Sequence, residues 1–415
     1  MNDTMYDCII TGGGAAGLMA AVTAADSGKS VLICEHNERL GRKLGITGKG
    51  RCNVTNNCTR DEFMANIPRN AKFLFSAYSQ FSSDDCMAFF EGLGVPLKTE
   101  RGNRVFPVSD KAADIVSALE KAAKERGVAI KHGSVTRILT ENGSVSGVIC
   151  GGTEIYAGNV VIATGGMSYP KTGSDGSGYK LAKMLGHTVT ELNPSLVPLV
   201  TAEKYPTEMM GLSLKNVTLS LYDEKKHEKL YSELGEMLFT HFGVSGPLVL
   251  SASSHIRDME NGRYKLLIDL KPALDEKKLD ARIVRDFTES PNKDFRNALG
   301  KLLPAKMIPV IVKLSGIAPD KQVNSVSREE RTRLAELLKN FPMTVAGFRP
   351  IDEAIITSGG IKISEISPKT MESKLVGGLY FAGEIIDVDA YTGGFNLQIA
   401  FSTGYAAGKA IGEKY

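Results

Sequence analysis

The feature that most constrains this chain is a glycine-rich turn near its start, between a short apolar run and a helix of small residues. Tyr6–Thr11 predicts a buried strand, Gly12–Gly17 (GGGAAG) follows at once, and Leu18–Ser27 predicts a helix that ends before Gly28. Ser30–Cys34 predicts the next strand. A β-turn-α-β unit of this kind is the nucleotide-binding half of a Rossmann fold.

The glycines and one acidic residue predict how the nucleotide is held. Gly12 allows the tight turn, Gly14 lets the backbone approach a pyrophosphate, and Gly17 lets the helix pack on the strand. The amides at the helix N-terminus can bind phosphate. Glu35, at the end of the second strand, can accept hydrogen bonds from both ribose hydroxyls and would repel a 2′-phosphate. The sequence therefore predicts dinucleotide binding.

Because FAD and NAD share the same ADP half, later segments have to decide between them. Gly377–Glu384 predicts a strand that ends in a turn, Asp387 follows, and Gly393–Asn396 opens a last helix. In FAD folds, an acid at the end of a late strand holds the ribityl hydroxyls, and the last helix directs its N-terminus at the flavin pyrimidine. Asp387 and the backbone of Gly394–Leu397 suit these two roles, which favours FAD.

The middle of the chain predicts no second nucleotide domain. Val160–Gly166 predicts a strand and tight turn that return to the nucleotide sheet, and no second complete GxGxxG with a trailing acid occurs. A separate Rossmann domain for NAD(P)H is therefore not expected. A nicotinamide can still bind transiently over the flavin as an electron donor.

With these motifs in place, the sequence resembles the BaiN/YhiN-like flavoproteins, a family of NAD(P)/FAD-dependent or aminoacetone oxidase-like oxidoreductases. The resemblance runs from end to end. Its most specific part is Gly41–Asn56 (GRKLGITGKGRCNVTN), which is similar to the family's GRKLLxSGxGRCNxTN segment. Phe239–Pro247 is similar to the family's THxGxSGP stretch, and Gly383–Gln398 matches a third family segment. The resemblance implies that the first and third segments line FAD.

The chemistry of the first segment agrees with that role. Arg42, Lys43 and Arg51 can bind anionic phosphate, while Thr47 and Asn53 offer neutral hydrogen-bonding groups. Together, the motifs and the resemblance predict a set of FAD-binding residues. They are Gly12, Gly14, Ala15, Ala16, Gly17, Glu35, His36, Arg42, Lys43, Thr47, Gly48, Gly50, Arg51, Cys52, Asn53, Val135, Thr164, Gly165, Gly383, Glu384, Asp387, Gly394, Asn396 and Leu397.

The predicted fold class is α/β, with a Rossmann-type FAD-binding domain, an inserted β-barrel-like domain and a helical subdomain. The FAD-binding domain is discontinuous, residues 1–195 and 345–415, because the late strand Leu379–Ala382 has no other sheet to complete. Residues 196–272 are strand-rich and 273–344 carry helical spacing, which predicts a β-rich substrate domain and a helical cap. The Lys/Glu-rich stretch Asp223–Lys229 predicts a solvated hairpin turn. We expect the substrate pocket where the inserted parts close over the flavin ring.

Charge and hydropathy narrow the partners. The chain has 50 basic and 47 acidic residues, a formal net charge of +3, without a basic arm, so a small-molecule substrate is expected and nucleic acid is not. It has no apolar run long enough for a membrane span, and its first residues lack a secretory signal, which together predict a cytoplasmic protein. The six cysteines, Cys8, Cys34, Cys52, Cys58, Cys86 and Cys150, form no CxxC pairs, so neither a disulfide framework nor a metal site is expected.

Two residues are candidates for catalysis. His241 can donate a proton, because imidazole titrates near neutral pH and its motif places it beside glycines; the alternative is a histidine that fixes its loop by hydrogen bonds. Tyr391 can polarise a carbonyl oxygen, and a plain packing role is the alternative. Cys52 has no partner that would make it a nucleophile, so we expect a small buried apolar group.

Three functions remain open at this stage. The favoured one, suggested by resemblance to bile-acid enone reductases, is an NAD(P)H-dependent reductase of an activated C=C bond in a bulky apolar substrate. The second is an oxygen-dependent amine oxidase acting on a substrate like aminoacetone. The third is a non-catalytic flavin-binding module whose FAD has a structural or RNA-modification-linked role, which the balanced charge disfavours.

Overall fold

A computed structural model describes residues 5–414 of the chain. Within that range, no helix has both the length and the apolar character needed to cross a lipid bilayer. The strands are β1 (Tyr6–Thr11), β2 (Val31–Glu35), β3 (Thr55–Asn56), β4 (Leu97–Glu100), β5 (Arg104–Pro107), β6 (Ala129–His132), β7 (Val135–Glu141), β8 (Ser144–Cys150), β9 (Thr153–Ile162), β10 (Asn193–Ser195), β11 (Leu199–Thr201), β12 (Ser213–Asp223), β13 (Glu228–Phe239), β14 (Gly243–Ser245), β15 (Tyr264–Asp269), β16 (Phe341–Phe348), β17 (Ile356–Ser358) and β18 (Leu379–Phe381).

The helices are α1 (Ala15–Asp26), α2 (Arg42–Gly50), α3 (Arg60–Ala65), α4 (Phe75–Gln80), α5 (Ser83–Gly92), α6 (Ala112–Glu125), α7 (Ser177–Met184), α8 (Tyr205–Glu208), α9 (Pro247–Ser253), α10 (Glu276–Thr288), α11 (Phe295–Ala298), α12 (Ile308–Ser315), α13 (Arg328–Lys339) and α14 (Phe395–Gly412). The chain divides into two compact units. One contains the described residues up to Ser195 and from Ile351 onward, and the other is Leu196–Pro350.

The first unit is built on a sheet in the order β6-β2-β1-β9-β8-β7, with β18 also paired to β9. β6, β2, β1, β9 and β18 pair in parallel, whereas β8 runs antiparallel to both β9 and β7. The strands β2 (VLICE) and β18 (LYF) are buried on both faces, whereas the edge strand β6 (AIKH) is not. The predicted α/β Rossmann-type fold is confirmed.

Helices α1 and α14 pack closely through small residues. A Cβ added at Gly404 would lie 2.4 Å from the Ala16 carbonyl oxygen, and one at Gly408 would lie 2.5 Å from that of Ala20. Any side chain larger than hydrogen at these two positions would push the helices apart. This seam places the N-terminus of α14 on the same unit as the glycine-rich turn that precedes α1.

The second unit is a closed barrel in the order β11-β14-β13-β12-β15-β16, accompanied by helices that include α10, α12 and α13. Strand β15 alternates buried and half-buried side chains, as expected for a strand with one face on a core. The predicted β-barrel and helical region are therefore present. The predicted boundary between residues 344 and 345 falls inside β16, because this strand completes the barrel by pairing with β11 and β15.

The Lys/Glu-rich stretch forms the turn between β12 and β13, but it is not solvated throughout. Asp223 is 1% exposed, and its Oδ2 accepts a hydrogen bond from Arg263 Nη2 at 2.7 Å. The Arg263 guanidinium holds the pKa of this carboxyl at about 2. The sequence could not show this ion pair, because Arg263 lies 40 residues away, just before the neighbouring strand β15.

Candidate cofactor site

A large cavity opens in the first unit, with about 1300 Å³ of empty space, part of which is open solvent. Many of the residues predicted to bind FAD line it, from the glycine-rich turn to the start of α14. They are Gly12, Gly14, Ala15, Ala16, Glu35, His36, Arg42, Lys43, Thr47, Val135, Thr164, Gly165, Gly383, Glu384, Asn396 and Leu397. Gly17, Gly48, Gly50, Arg51, Cys52, Asn53, Asp387 and Gly394 are predicted residues outside this lining.

The glycine-rich turn is held by contacts that only glycine allows. Gly12 has φ +99°, and a Cβ there would lie 2.7 Å from the Ala163 carbonyl oxygen. A Cβ at Gly17 would lie 1.9 Å from the Gly12 carbonyl oxygen, so this position needs glycine for helix packing even though it does not line the cavity. At Gly14 no atom lies within 4 Å of an added Cβ. The backbone at Gly14 is therefore open to close approach by a ligand.

Glu35 anchors the turn from the end of β2. Its side chain is buried, Oε2 accepts a hydrogen bond from the Gly13 amide at 2.8 Å, and Oε1 accepts one from the Asn37 amide at 2.8 Å. Oε1 also accepts from Asn37 Nδ2 at 2.7 Å, so Oε2 is the oxygen that still has a lone pair for a ribose hydroxyl. The carboxylate lines the cavity beside His36, as expected of a ribose ligand.

The N-terminus of α1 fits a pyrophosphate. Gly14 is the N-cap residue and offers no side-chain cap, and the Leu18 amide makes the first helical bond, to the Gly14 carbonyl. The earlier amides of a helix have no intrahelical partner and carry the positive end of its dipole. Ala15 and Ala16 line the cavity at this point. An anionic group placed here would satisfy those amides.

A second observation also fits a bound cofactor. Among the described residues, Thr164 Oγ1 and Asn53 Oδ1 are buried and have no hydrogen-bond partner. Thr164 lies on the cavity wall. Buried polar atoms are almost always paired, so Thr164 is suited to a polar group of a ligand, whereas Asn53 lies outside the cavity lining. With the open backbone at Gly14 and the helix N-terminus, the residues present fit FAD.

The basic side chains of the segment Gly41–Asn56 do not all face the cavity. Arg42 Nη1 donates to Asn37 Oδ1 at 2.6 Å, and Lys43 Nζ contacts Glu384 Oε2 at 2.6 Å; both residues line the cavity. Arg51 instead donates to Glu100 Oε2 at 3.2 Å and to Asp110 Oδ1 at 2.8 Å. Its guanidinium carbon also lies 4.1 Å from the centre of the Phe106 ring.

The predicted FAD contacts of the second half of the segment, from Gly48 to Asn53, stay predictions. Gly48 has a left-handed φ of +58°, Lys49 of +60° and Cys52 of +59°, so α2 breaks into an irregular loop after Leu44–Ile46. Cys52 is fully buried, and burial raises the pKa of its thiol to about 12. A thiol that stays protonated is a poor nucleophile, which agrees with the expected packing role.

The segment before α14 is tied down by side chains from the same unit. Asp387 Oδ2 accepts from Arg69 Nη2 at 2.8 Å, and the Asp387 carbonyl accepts from Asn70 Nδ2 at 2.6 Å. Gly394 is the N-cap residue of α14, where an added Cβ would lie 2.3 Å from the Thr55 carbonyl oxygen. The helix N-terminus thus has no side-chain cap, as its predicted role toward the flavin requires.

The two catalytic candidates lie in different units. His241 belongs to the second unit and is exposed, its carbonyl accepts from Thr207 Oγ1 at 3.3 Å, and its ring centre is 4.9 Å from that of Phe242. Tyr391 belongs to the first unit, is half-buried, and its amide donates to the Asn66 carbonyl at 3.0 Å. Their catalytic roles stay predictions.

The longest stretch of the cavity wall that the sequence did not predict lies next to α7. Thr172–Asp175 and Ser177, just before and at the start of α7, line the cavity. An added Cβ at Gly173 would lie 2.5 Å from Asn37 Nδ2, beside the Glu35 carboxylate. The signal was present in the sequence TGSDG, where two glycines flank an acid before a helix.

Comparisons with known proteins identify the family and the fold of the chain. A family model described as the HI0933-like protein Rossmann domain matches residues 6–410. A Clostridium scindens protein named 3-dehydro-bile acid delta(4,6)-reductase is 32% identical over 98% of both chains. A Haemophilus influenzae protein named ribosomal RNA dihydrouridine synthase is 31% identical, again over 98% of both chains. A Rhodococcus jostii 3-ketosteroid-delta4-(5alpha)-dehydrogenase structure shares the fold, with a TM-score of 0.51, 15% identity, and coverage of 99% of this chain and 98% of that chain.

Proposed function

The chain belongs to the HI0933-like Rossmann-domain family and is an FAD-dependent oxidoreductase, and we propose that it reduces a C=C bond conjugated to a carbonyl group. The proposed substrate is bulky and apolar, such as a 3-oxo steroid or a bile-acid enone, and NADH or NADPH is the transient electron donor. The observation that carries the proposal is the full-length relative named as a bile-acid delta(4,6)-reductase.

The residues of the first unit bind and orient the cofactor in this proposal. Bound FAD supplies hydride transfer between the nicotinamide and the conjugated C=C bond. Glu35 would accept from the ribose, the α1 N-terminus would hold the pyrophosphate, and the α14 N-terminus would stabilise negative charge at the flavin pyrimidine. Lys43 is paired with the Glu384 carboxylate and donates to Ser168 Oγ, which fixes its side chain at the cavity wall.

Reduction of an enone also needs a proton at the carbon next to the carbonyl. We assign its donation to His241 and the polarisation of the carbonyl oxygen to Tyr391. His241→Ala is then expected to lower turnover at unchanged flavin content, with Tyr391→Phe as a second, separate variant. Unaltered pH–rate behaviour in His241→Ala would assign this histidine to its loop instead.

The test is an anaerobic half-reaction followed by the absorbance of the flavin. NADH or NADPH is expected to bleach the flavin rapidly, and a 3-oxo steroid with a conjugated C=C bond is expected to restore the absorbance without oxygen. The matched control is the same steroid with that bond already saturated, which should leave the flavin reduced. A flavin that no nicotinamide reduces, but that amines reduce before air restores it, would overturn the proposal in favour of the oxidase.

A second candidate substrate is uridine in RNA. The Haemophilus influenzae relative named as a ribosomal RNA dihydrouridine synthase matches the whole chain almost as well as the bile-acid reductase does. Dihydrouridine is uridine whose C5–C6 double bond, conjugated to the C4 carbonyl, has been reduced, so the chemistry is the same. The expectation of no nucleic-acid partner stays a prediction.

The same half-reaction, started from the reduced protein, distinguishes a steroid substrate from uridine in RNA. Ribosomal RNA without prior modification replaces the steroid, and the nucleosides released from it are analysed for dihydrouridine. Reoxidation by RNA and not by the enone would move the substrate from steroid to uridine. RNA binding should then weaken steeply with added salt, because phosphate contacts release counterions.

A further inference from the structure

A short strand pair stands where the chain leaves the first unit and returns to it. β10 ends at Ser195, the last residue of the first unit before Leu196, and β17 begins soon after the return at Ile351. The two strands are antiparallel, with Ser195 opposite Ile356 and Asn193 opposite Ser358. Whatever fixes this pair therefore fixes the base from which the inserted segment Leu196–Pro350 departs.

A buried carboxylate joins the two strands. Asp389 is 1% exposed, its Oδ2 accepts from Ser195 Oγ at 2.8 Å, and its Oδ1 accepts from Ser358 Oγ at 3.0 Å. Burial raises the pKa of Asp389, while the two serines and the nearby charge of Arg69 act in the opposite direction. Such a group is costly to bury unless both oxygens are bonded, so the contact is a specific one.

Asp389 is followed by Ala390, whose backbone is bonded to a residue of the cavity wall. Asn396 lines the cavity and clasps Ala390: its Oδ1 accepts from the Ala390 amide at 2.9 Å, and its Nδ2 donates to the Ala390 carbonyl at 2.8 Å. A continuous path of bonded groups thus runs from the cavity through Asn396 and Ala390 to Asp389 and its serines.

A second set of hydrogen bonds joins the cavity wall to the same strand, β17. Glu384, on the cavity wall, accepts from the Thr357 amide at 2.9 Å, and Thr357 Oγ1 accepts from the Met167 amide at 2.8 Å. Adjacent residues of β17, Thr357 and Ser358, are therefore bonded to two different carboxylates of the segment that precedes α14. Ser195 and Ser358 themselves are not part of the cavity lining.

We propose that Asp389 is a positioning residue that couples FAD occupancy to the order of the β10–β17 strand pair, and so to the base of the inserted segment. The inference rests on FAD binding to this cavity and does not depend on the substrate. FAD bound in the cavity that Asn396 lines would stabilise the bonded path, and by thermodynamic reciprocity a disturbed strand pair would weaken FAD binding.

The first arm of the test removes the serine hydroxyls, which lie outside the cofactor cavity. Ser195→Ala and Ser358→Ala are each expected to weaken FAD binding to the apoprotein by about 2- to 10-fold, the range of one net hydrogen bond. Ser315→Ala is the matched control: it removes a buried serine hydroxyl bonded to the Val312 carbonyl in the second unit. Its FAD affinity should equal that of the wild type.

The second arm reads the coupling directly by hydrogen exchange. FAD is expected to slow exchange of the Asn193 and Ser195 amides of β10 in the wild type and in Ser315→Ala, and to lose that effect in Asp389→Ala; Pro194, between them, has no amide hydrogen. Asp389→Asn should restore it, since an amide can accept from one serine and donate to the other. If Asp389→Ala does not fold, the serine variants decide alone.

Two results would overturn the inference. One is that Ser195→Ala and Ser358→Ala bind FAD as tightly as Ser315→Ala while losing thermal stability, which would make the contact a purely structural one. The other is unchanged FAD-dependent protection of β10 in Asp389→Ala. Neither readout uses a substrate, so failure of the proposed enone reduction would leave this test intact.

Discussion

The glycine-rich turn Gly12–Gly17 and the basic segment Gly41–Asn56 both contribute to the cofactor cavity, but they do so in different ways. The turn works through its backbone: a Cβ at Gly17 would lie 1.9 Å from the Gly12 carbonyl oxygen. The basic segment works through charged side chains, and these take different partners. Lys43 lines the cavity, whereas Arg51 turns to Glu100 and Asp110. Backbone requirements are local, while the role of a charge depends on which partners the fold brings to it.

The strongest test of the backbone side of this comparison is Gly17→Ala. The added methyl group forces α1 away from the turn, so we expect a loss of about 3 kcal/mol or more in the free energy of unfolding, together with loss of bound flavin. Urea unfolding and the flavin content of the purified protein measure the two effects.

Gly45→Ala is the matched control for this change. Gly45 lies in α2 with no atom within 4 Å of an added Cβ, so alanine should stabilise by about 0.5–1 kcal/mol. A Gly17→Ala protein that keeps both its flavin and its stability would show that the turn is not built as described.

Glu35→Ala tests the one side chain on which the turn depends. It removes a carboxylate bonded to the Gly13 amide and predicted to hold the ribose, so FAD affinity should fall by about 10- to 100-fold with the fold intact. Titration of the apoprotein with FAD gives the affinity, and circular dichroism checks the fold. Glu38→Ala, an exposed acid in the same loop, should bind FAD normally. Full FAD occupancy in Glu35→Ala would remove Glu35 from the site.

Arg51→Gln tests the side-chain half of the comparison. Because its guanidinium is shared between Glu100 and Asp110 and is partly exposed, FAD affinity should change by less than about threefold. Arg42→Gln, which alters the cavity wall, is expected to cost about 3- to 10-fold. If Arg51→Gln proves the more damaging of the two, Arg51 binds phosphate and its contacts rearrange with the cofactor.

Acid titration of stability gives the smallest expected effect. The Arg51 hydrogen bonds hold the pKa of Glu100 below its usual value, and Lys98 followed by Arg51 does the same for Asp110. A lowered pKa in the folded state stabilises above the unfolded pKa of about 4, and this contribution is lost as the pH falls further. The difference in urea midpoint between wild type and Arg51→Gln should therefore shrink between about pH 6 and about pH 3. A constant difference would show that the pairing contributes nothing.

The same contrast explains what the sequence could predict. Strand β1 has the predicted bounds, and α1 begins three residues earlier than predicted because Ala15–Gly17 already belong to its first turn. The acids that bind Arg51, the buried pairing of Asp223 with Arg263, and the path through Asp389 to Ser195 all join residues far apart in the chain. No local sequence pattern predicts such distant partners. The predicted domain boundary fell inside β16 for the same reason, because this strand closes the barrel by pairing with β11, which is distant in sequence.

The central claim is that the cavity of the first unit binds FAD, and the visible absorption spectrum of the purified full-length protein tests it most directly. We expect flavin absorption bands, and release of FAD rather than FMN when the protein is denatured. A folded protein that shows no flavin band, even after incubation with excess FAD, would contradict the account.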